Sequence, residues 1–163
     1  MSGKQVQLEQ AIEVNNYYEI IAEVPGHIGQ RSVVDREARP PKVSSLHFVF
    51  EDWGGDELLT SYPIYLVKDS LAEAFLEQRF SGFELASVDV ERGKQILAFK
   101  PSLELPKFLW LRVTGDHKGA DFFMTSNRYL GVSEGGLMAI KETRPRTLVH
   151  RIYHEGDNSG KWV

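Results

Sequence analysis

The alternation of apolar and polar positions is most regular over residues 62–90, YPIYLVKDSLAEAFLEQRFSGFELASVDV, and predicts strand, helix, strand. Residues 62–67 combine aromatic and β-branched side chains with one proline near the start, where a strand best tolerates a missing N–H. Ser70-Leu71-Ala72-Glu73 has the form of a capping box: the Ser70 hydroxyl accepts from the Glu73 N–H, and the Glu73 carboxylate accepts from that of Ser70. Leu71, Ala72, Ala74, Phe75 and Leu76 share one broad apolar face while Glu73, Glu77, Gln78 and Arg79 point elsewhere, the period of a helix lying on a sheet. Ser81-Gly82 ends the helix. Phe83-Glu84-Leu85 alternates in one phase and residues 86–90 in the opposite phase, which predicts a strand with a bulge near Ala86 or Ser87.

A weaker copy of this unit follows at residues 129–153, where Val132 aligns with Val67, Ala139 with Ala74, Ile140 with Phe75 and Leu148 with Phe83. Ser133 is placed to cap the second helix, but Gly135 and Gly136 in its first turn cost about 1 kcal/mol each relative to alanine, so a shorter, fraying helix is expected. Outside the two units, residues 17–24 alternate, with Tyr18, Ile20, Ala22 and Val24 on one face and Glu19 and Glu23 on the other, and Pro25-Gly26 closes the strand as a turn. Residues 28–42 carry Arg31, Arg36, Arg39, Lys42 and Pro40-Pro41 and read as a long irregular connection. Leu46, Phe48 and Phe50 mark another strand, and residues 91–106 a polar connection closed by prolines. Residues 107–114, apolar on both faces, predict a strand in the middle of a sheet. A final strand is expected at residues 147–153, a short helical turn around residues 8–14, and mobile tails at 1–16 and 155–163. The fold class is therefore α+β: one domain over residues 1–163, a mainly antiparallel or mixed sheet, and two short helices from a duplicated strand-helix-strand unit.

Composition narrows the class without naming a chemistry. A chain of 163 residues with 42% hydrophobic and 26% charged residues suits one folded domain, and its apolar runs are far too short for a bilayer. Residues 1–10 are polar and lack the apolar segment of a signal peptide, and cysteine is absent, so a reducing cytoplasmic setting is expected. The formal charge of −4 disfavours general nucleic-acid binding and suits a basic protein partner.

The chemical motifs are weak. His150 and His154 have a zinc-like spacing on a helix, but on the strand expected there they stand roughly 13 Å apart and cannot share an ion. Residues 156–161 fall one position short of a phosphate loop and place Trp162 where a magnesium-binding hydroxyl belongs. Lys141, Arg144, Arg146 and Arg151 form a mildly basic run interrupted by Glu142, read as a solvated face. No catalytic residue, metal site or cofactor is assigned. The strongest candidate is the loop Glu51, Asp52, Trp53, Gly54, Gly55, Asp56, Glu57: a tryptophan among four acids, with the acids placed to steer a basic partner. The competing reading folds Trp53 back onto the core.

Several segments resemble those of bacterial immunity-type proteins of polymorphic toxin systems: Tyr65-Leu66-Val67 leading into Leu71-Ala72-Glu73-Ala74, Gly82-Phe83-Glu84-Leu85 with Val88-Asp89-Val90, residues 105–115 (LPKFLWLRVTG), and Asp121-Phe122 followed by Leu130-Gly131-Val132-Ser133-Glu134. The resemblance spans roughly residues 62–153 and departs from the usual pattern at Gly135-Gly136. It implies a non-enzymatic cytoplasmic protein that binds and neutralises a cognate toxin domain. The loop chemistry makes Glu51, Asp52, Trp53, Asp56 and Glu57 the partner-binding residues to test. Two alternatives stay open: a small enzyme with a pocket between the two units, using His117, His150 or a carboxylate, and an unrelated protein-interaction module.

Overall fold

The computed structural model describes residues 16–163, so the helical turn expected at residues 8–14 and nearly all of the expected N-terminal tail lie outside the described residues. The first six strands are β1 (Tyr17–Ile21), β2 (Gly26–Ile28), β3 (Val33–Asp35), β4 (Lys42–Ser45), β5 (His47–Phe50) and β6 (Leu58–Ser61). Next come β7 (Ile64–Lys68), α1 (Asp69–Glu77), β8 (Phe83–Ala86), β9 (Asp89–Arg92), α2 (Lys94–Phe99) and β10 (Phe108–Val113). The chain continues through β11 (Phe122–Met124), β12 (Leu130–Ser133), α3 (Glu134–Glu142) and β13 (Val149–Ile152). The architecture is α+β and mostly sheet, with, among the described residues, a third helix beyond the two expected from the strand-helix-strand units.

Two four-stranded sheets repeat one plan. The first runs β6-β7-β10-β8 and the second β11-β12-β1-β13, every neighbouring pair antiparallel. In each, a hairpin leads directly into a helix, and the strand after the helix returns parallel to the one before it with a foreign strand between them. That middle strand is β10 in the first sheet and β1 in the second. The duplication is kept to the residue at the helices: α1 and α3 each have nine residues, and Arg79 and Arg144 take matching left-handed φ angles of 56° and 55° just beyond them. The helices pack on each other and on their own sheets, so Phe75, Leu137, Ile140, Val67, Val132 and Ile20 belong to one core. Phe75, with no surface left exposed, contributes about 2–3 kcal/mol by its burial.

A third sheet, β2-β5-β9, covers the other face of the first one. Alternation along β7 and β10 therefore serves two cores. Val67 and Leu111 face the helices, while Ile64, Leu66, Phe108 and Trp110 meet Phe48, Phe50 and Ile96. This is why residues 107–114 are apolar on both faces, and β10 does lie inside its sheet.

Several expectations are corrected. The capping box at Ser70 does not form: the β7 ladder continues to Lys68 opposite Phe108, the helix starts at Asp69, and the Ser70 hydroxyl donates instead to Glu57 Oε1 at 3.1 Å. The N-cap is Lys68, without a side-chain bond, whereas its counterpart Ser133 does cap α3 by accepting from the Gly136 N–H at 3.1 Å. Nor is α3 shorter than α1; Ser133 and the packing of Gly136 and Leu137 into the core offset the glycine cost. The phase reversal near Ala86 is a change of sheet, not a bulge: β8 ends there, and β9 pairs parallel with β5. The connection at residues 28–42 contains β3 and the start of β4, the one at 91–106 contains α2, and Gly26 opens β2 instead of closing a turn. β6, unpredicted, forms a hairpin with β7.

The C-terminal segment is folded back rather than free. His154 and Asp157 bridge across a turn with Gly156 at φ 78°, and His150 and Val163 exchange both backbone hydrogen bonds at 2.9 Å. The Trp162 ring lies 4.5 Å from the Arg151 guanidinium and packs edge-on against Tyr129. The segment thereby lies along the edge strand β13 and lays Trp162 against Arg151 and Tyr129.

Candidate functional site

The acidic loop leaves β5 at its C-terminal end and returns into β6, and its five candidate residues do not form one outward patch. Asp56 is buried, its carboxylate accepting from the backbone N–H groups of Arg146 at 2.7 Å and Thr147 at 3.0 Å. Its side chain is thus not part of the loop's exposed surface. Trp53 is half-buried: its indole N–H donates to the Asp56 carbonyl at 2.9 Å, and its ring meets Phe108 edge-on with centroids 5.8 Å apart. Behind them the buried Glu23, just past β1, accepts from Gly54 N–H at 2.6 Å and Asp56 N–H at 3.2 Å. Carboxylates saturated by backbone donors clamp the loop to the fold.

The outward side belongs to Glu51, Asp52 and Glu57. Asp52 is exposed and pairs with Lys100 Nζ at 2.8 Å; that ammonium, with the Trp53 amide, holds its carboxyl below the usual range. Glu51 Oε1 accepts from the Gln95 N–H at 3.1 Å, in the first turn of α2, and Glu57 accepts from the Ser70 hydroxyl. Through Glu51 and Lys100 the loop and α2 become one surface. Ile96 anchors this helix by complete burial, while Leu97 and Phe99 remain 52% and 78% exposed. The sequence signal was Ile96, Leu97, Ala98 and Phe99 within a stretch read as polar, too short for helical periodicity to register.

Beside this surface a polar cleft of about 720 Å³ is bordered by His27, Arg31, His47, Glu51 and Glu91. His47 is buried and both ring nitrogens are engaged: Nδ1 accepts from the Arg31 N–H at 3.2 Å, so Nε2 carries the proton donated to Glu91 Oε1 at 3.0 Å. Arg31 in turn bridges Asp89 at 2.8 Å and Glu91 at 3.2 Å, so the cleft walls neutralise themselves.

The remaining histidines are dispersed. His117 is exposed and contacts its neighbour Asp116. His150 sits on β13 against the Tyr18 ring, and burial, then Lys141, lower its pKa. His154 lies in the turn beyond that strand. Among the described residues no three histidine, aspartate or glutamate side chains are grouped to hold a metal ion. A pocket does lie between the two halves, but among the described residues neither His117, His150 nor any carboxylate lines it. The basic run also divides, because Arg151 leaves the solvated face to pair with Glu19 at 2.9 Å, both side chains being largely or wholly buried. Thr125 and Asn127 complete the coordination of Glu19.

No family model, curated protein or solved structure matches the chain. Among the described residues, no helix is long and apolar enough to cross a membrane.

Proposed function

We propose that this chain is a binding protein that neutralises a basic toxin domain, the role implied by its resemblance to immunity-type proteins, and that it docks through the surface shared by the acidic loop and α2. The observation that carries this reading is the exposure of Phe99 and Leu97 on a six-residue helix tethered at both ends to carboxylates of the loop. A large apolar side chain held in water contributes nothing to folding. Ringed by charge and fixed on a clamped element, it has the makeup of an interface anchor, with Asp52 and Glu51 supplying attraction for a basic surface. Trp53 supports the patch from below instead of entering the partner.

Co-expression tests the proposal. The chain is expected to restore growth of cells producing a toxin domain encoded beside it, and Phe99→Ala combined with Asp52→Lys is expected to abolish rescue while changing stability by no more than about 1 kcal/mol. Undiminished rescue by the double variant would remove this face from the proposal. Failure of the unaltered chain to rescue would remove the neutralising role.

A further inference from the structure

We propose a second site, independent of the docking face: the pocket at the junction of the two halves binds a small organic anion with a planar apolar body. The pocket has a volume of about 310 Å³, at the lower end of the range for small-molecule sites. Ile64, Trp110 and Val113 of the first sheet form one side, Met124 of the second sheet another, and Pro41 before β4 a third. It opens at the far end of β10 from Phe108, which carries Trp53.

Its charge runs against that of the protein. The chain has 23 Asp and Glu against 19 Lys and Arg, yet among the described residues the charged side chains lining this pocket are Lys42, Arg112 and Arg128. Among the described residues none of these three cations is within ion-pair distance of a carboxylate. The carboxylates opposite two of them across the strands, Glu84 beside Arg112 and Asp35 beside Lys42, form no ion pair with them and do not line the pocket. An entering anion therefore meets cationic groups whose donors are not engaged by a carboxylate. Arg112 is also pre-positioned: its guanidinium carbon lies 4.7 Å over the centre of the Trp110 ring, an arrangement that fixes the plane of the group and leaves its edge N–H donors free for a carboxylate or phosphate. Arg128 enters from the opposite half, in a turn where its φ is 67°. A head group held between Arg112 and Arg128 would bridge the two halves, with its planar body on the apolar wall.

Calorimetric titration of the full chain with naphthalene carboxylate, naphthyl phosphate and the neutral naphthalene carboxamide tests this. At least one of the anions is expected to bind saturably and roughly tenfold more tightly than the amide, since a charge-assisted bond is about twice as strong as a neutral one. Arg112→Gln and Arg128→Gln are each expected to weaken that anion by roughly tenfold and to leave the amide unaffected. Arg128 is exposed, so its variant keeps the test valid should the half-buried Arg112 prove necessary for folding. Equal binding of anion and amide, no saturable binding of any of the three, or an Arg128→Gln variant with unaltered anion affinity would each overturn the proposal.

Discussion

The Asp56 carboxylate accepts a 2.7 Å hydrogen bond from the backbone N–H of Arg146, 90 positions further along the chain. With the Thr147 N–H as second donor, Asp56 fixes the connection between α3 and β13 to the acidic loop. Asp56→Ala leaves two amides without their acceptor and is expected to destabilise the fold by about 2–3 kcal/mol. Asp52→Ala, which breaks only an exposed pair with Lys100, is expected to change stability by less than about 1 kcal/mol. Urea unfolding of the two variants separates them; equal, small effects would show that Asp56 is not a structural tie.

What the chain reveals locally and what it conceals follow from how far apart the interacting residues are. The pairs Val67 and Val132, Ala74 and Ala139, and Phe75 and Ile140 share one offset, and α1 and α3 begin and end on the same offset. The repeat was legible because each helix and the strand before it are contiguous. The strands that complete the sheets were not: β1 enters between β12 and β13 with nothing in its own alternation to say so. Charge misled in a different way. Glu19 and Glu23, on the polar face of the first strand, and Asp56, in the acidic loop, are buried, because their partners include backbone N–H groups and side chains distant in sequence. For the same reason only part of the candidate loop, Glu51 and Asp52 above all, survives as an outward surface.

Glu19 and Arg151 face each other across β1 and β13, with 0% and 10% of their side chains exposed. Arg151→Met leaves the buried carboxylate with Thr125 and Asn127 alone and removes the partner stacked under Trp162. The expected cost is about 3–5 kcal/mol. The double variant Glu19→Gln with Arg151→Met is expected to recover a large share of it, because no unpaired charge then remains inside. Denaturant unfolding of the set provides the check, and a loss below about 1 kcal/mol in Arg151→Met would contradict the assignment.

His150 makes a pH-dependent contribution. Burial first, and the nearby Lys141 second, lower its pKa from the ordinary 6.5, so the folded state holds the imidazole neutral more firmly than the unfolded chain does. Its contribution to stability is present above pH 6.5 and is lost as pH falls through the lower folded-state value. His150→Gln is therefore expected to lose less stability than the unaltered chain between neutral and mildly acidic pH. Parallel unfolding curves across that interval compare the two, and an identical acid loss in both would exclude the linkage.

Gly136 offers a test of the second helix. It occupies the first turn of α3, where glycine costs up to about 1 kcal/mol relative to alanine through backbone entropy. A Cβ there would meet the Ser133 hydroxyl oxygen at 3.4 Å, the Phe122 ring at 3.5 Å and Val132 at 3.6 Å, all ordinary van der Waals distances. The backbone N–H that Ser133 caps is unchanged by the substitution. Gly136→Ala is therefore expected to stabilise the protein by about 0.5–1 kcal/mol, or roughly 1–4 °C in Tm. Gly131→Ala, whose Cβ would lie 2.5 Å from the Phe123 ring, is expected to destabilise by about 1–3 kcal/mol, because that ring is wedged between Tyr17 and Tyr153. Thermal unfolding of both variants decides the matter: a Gly136→Ala protein no more stable than the original would mean that α3 depends on glycine for its approach to Phe122, not merely tolerates it.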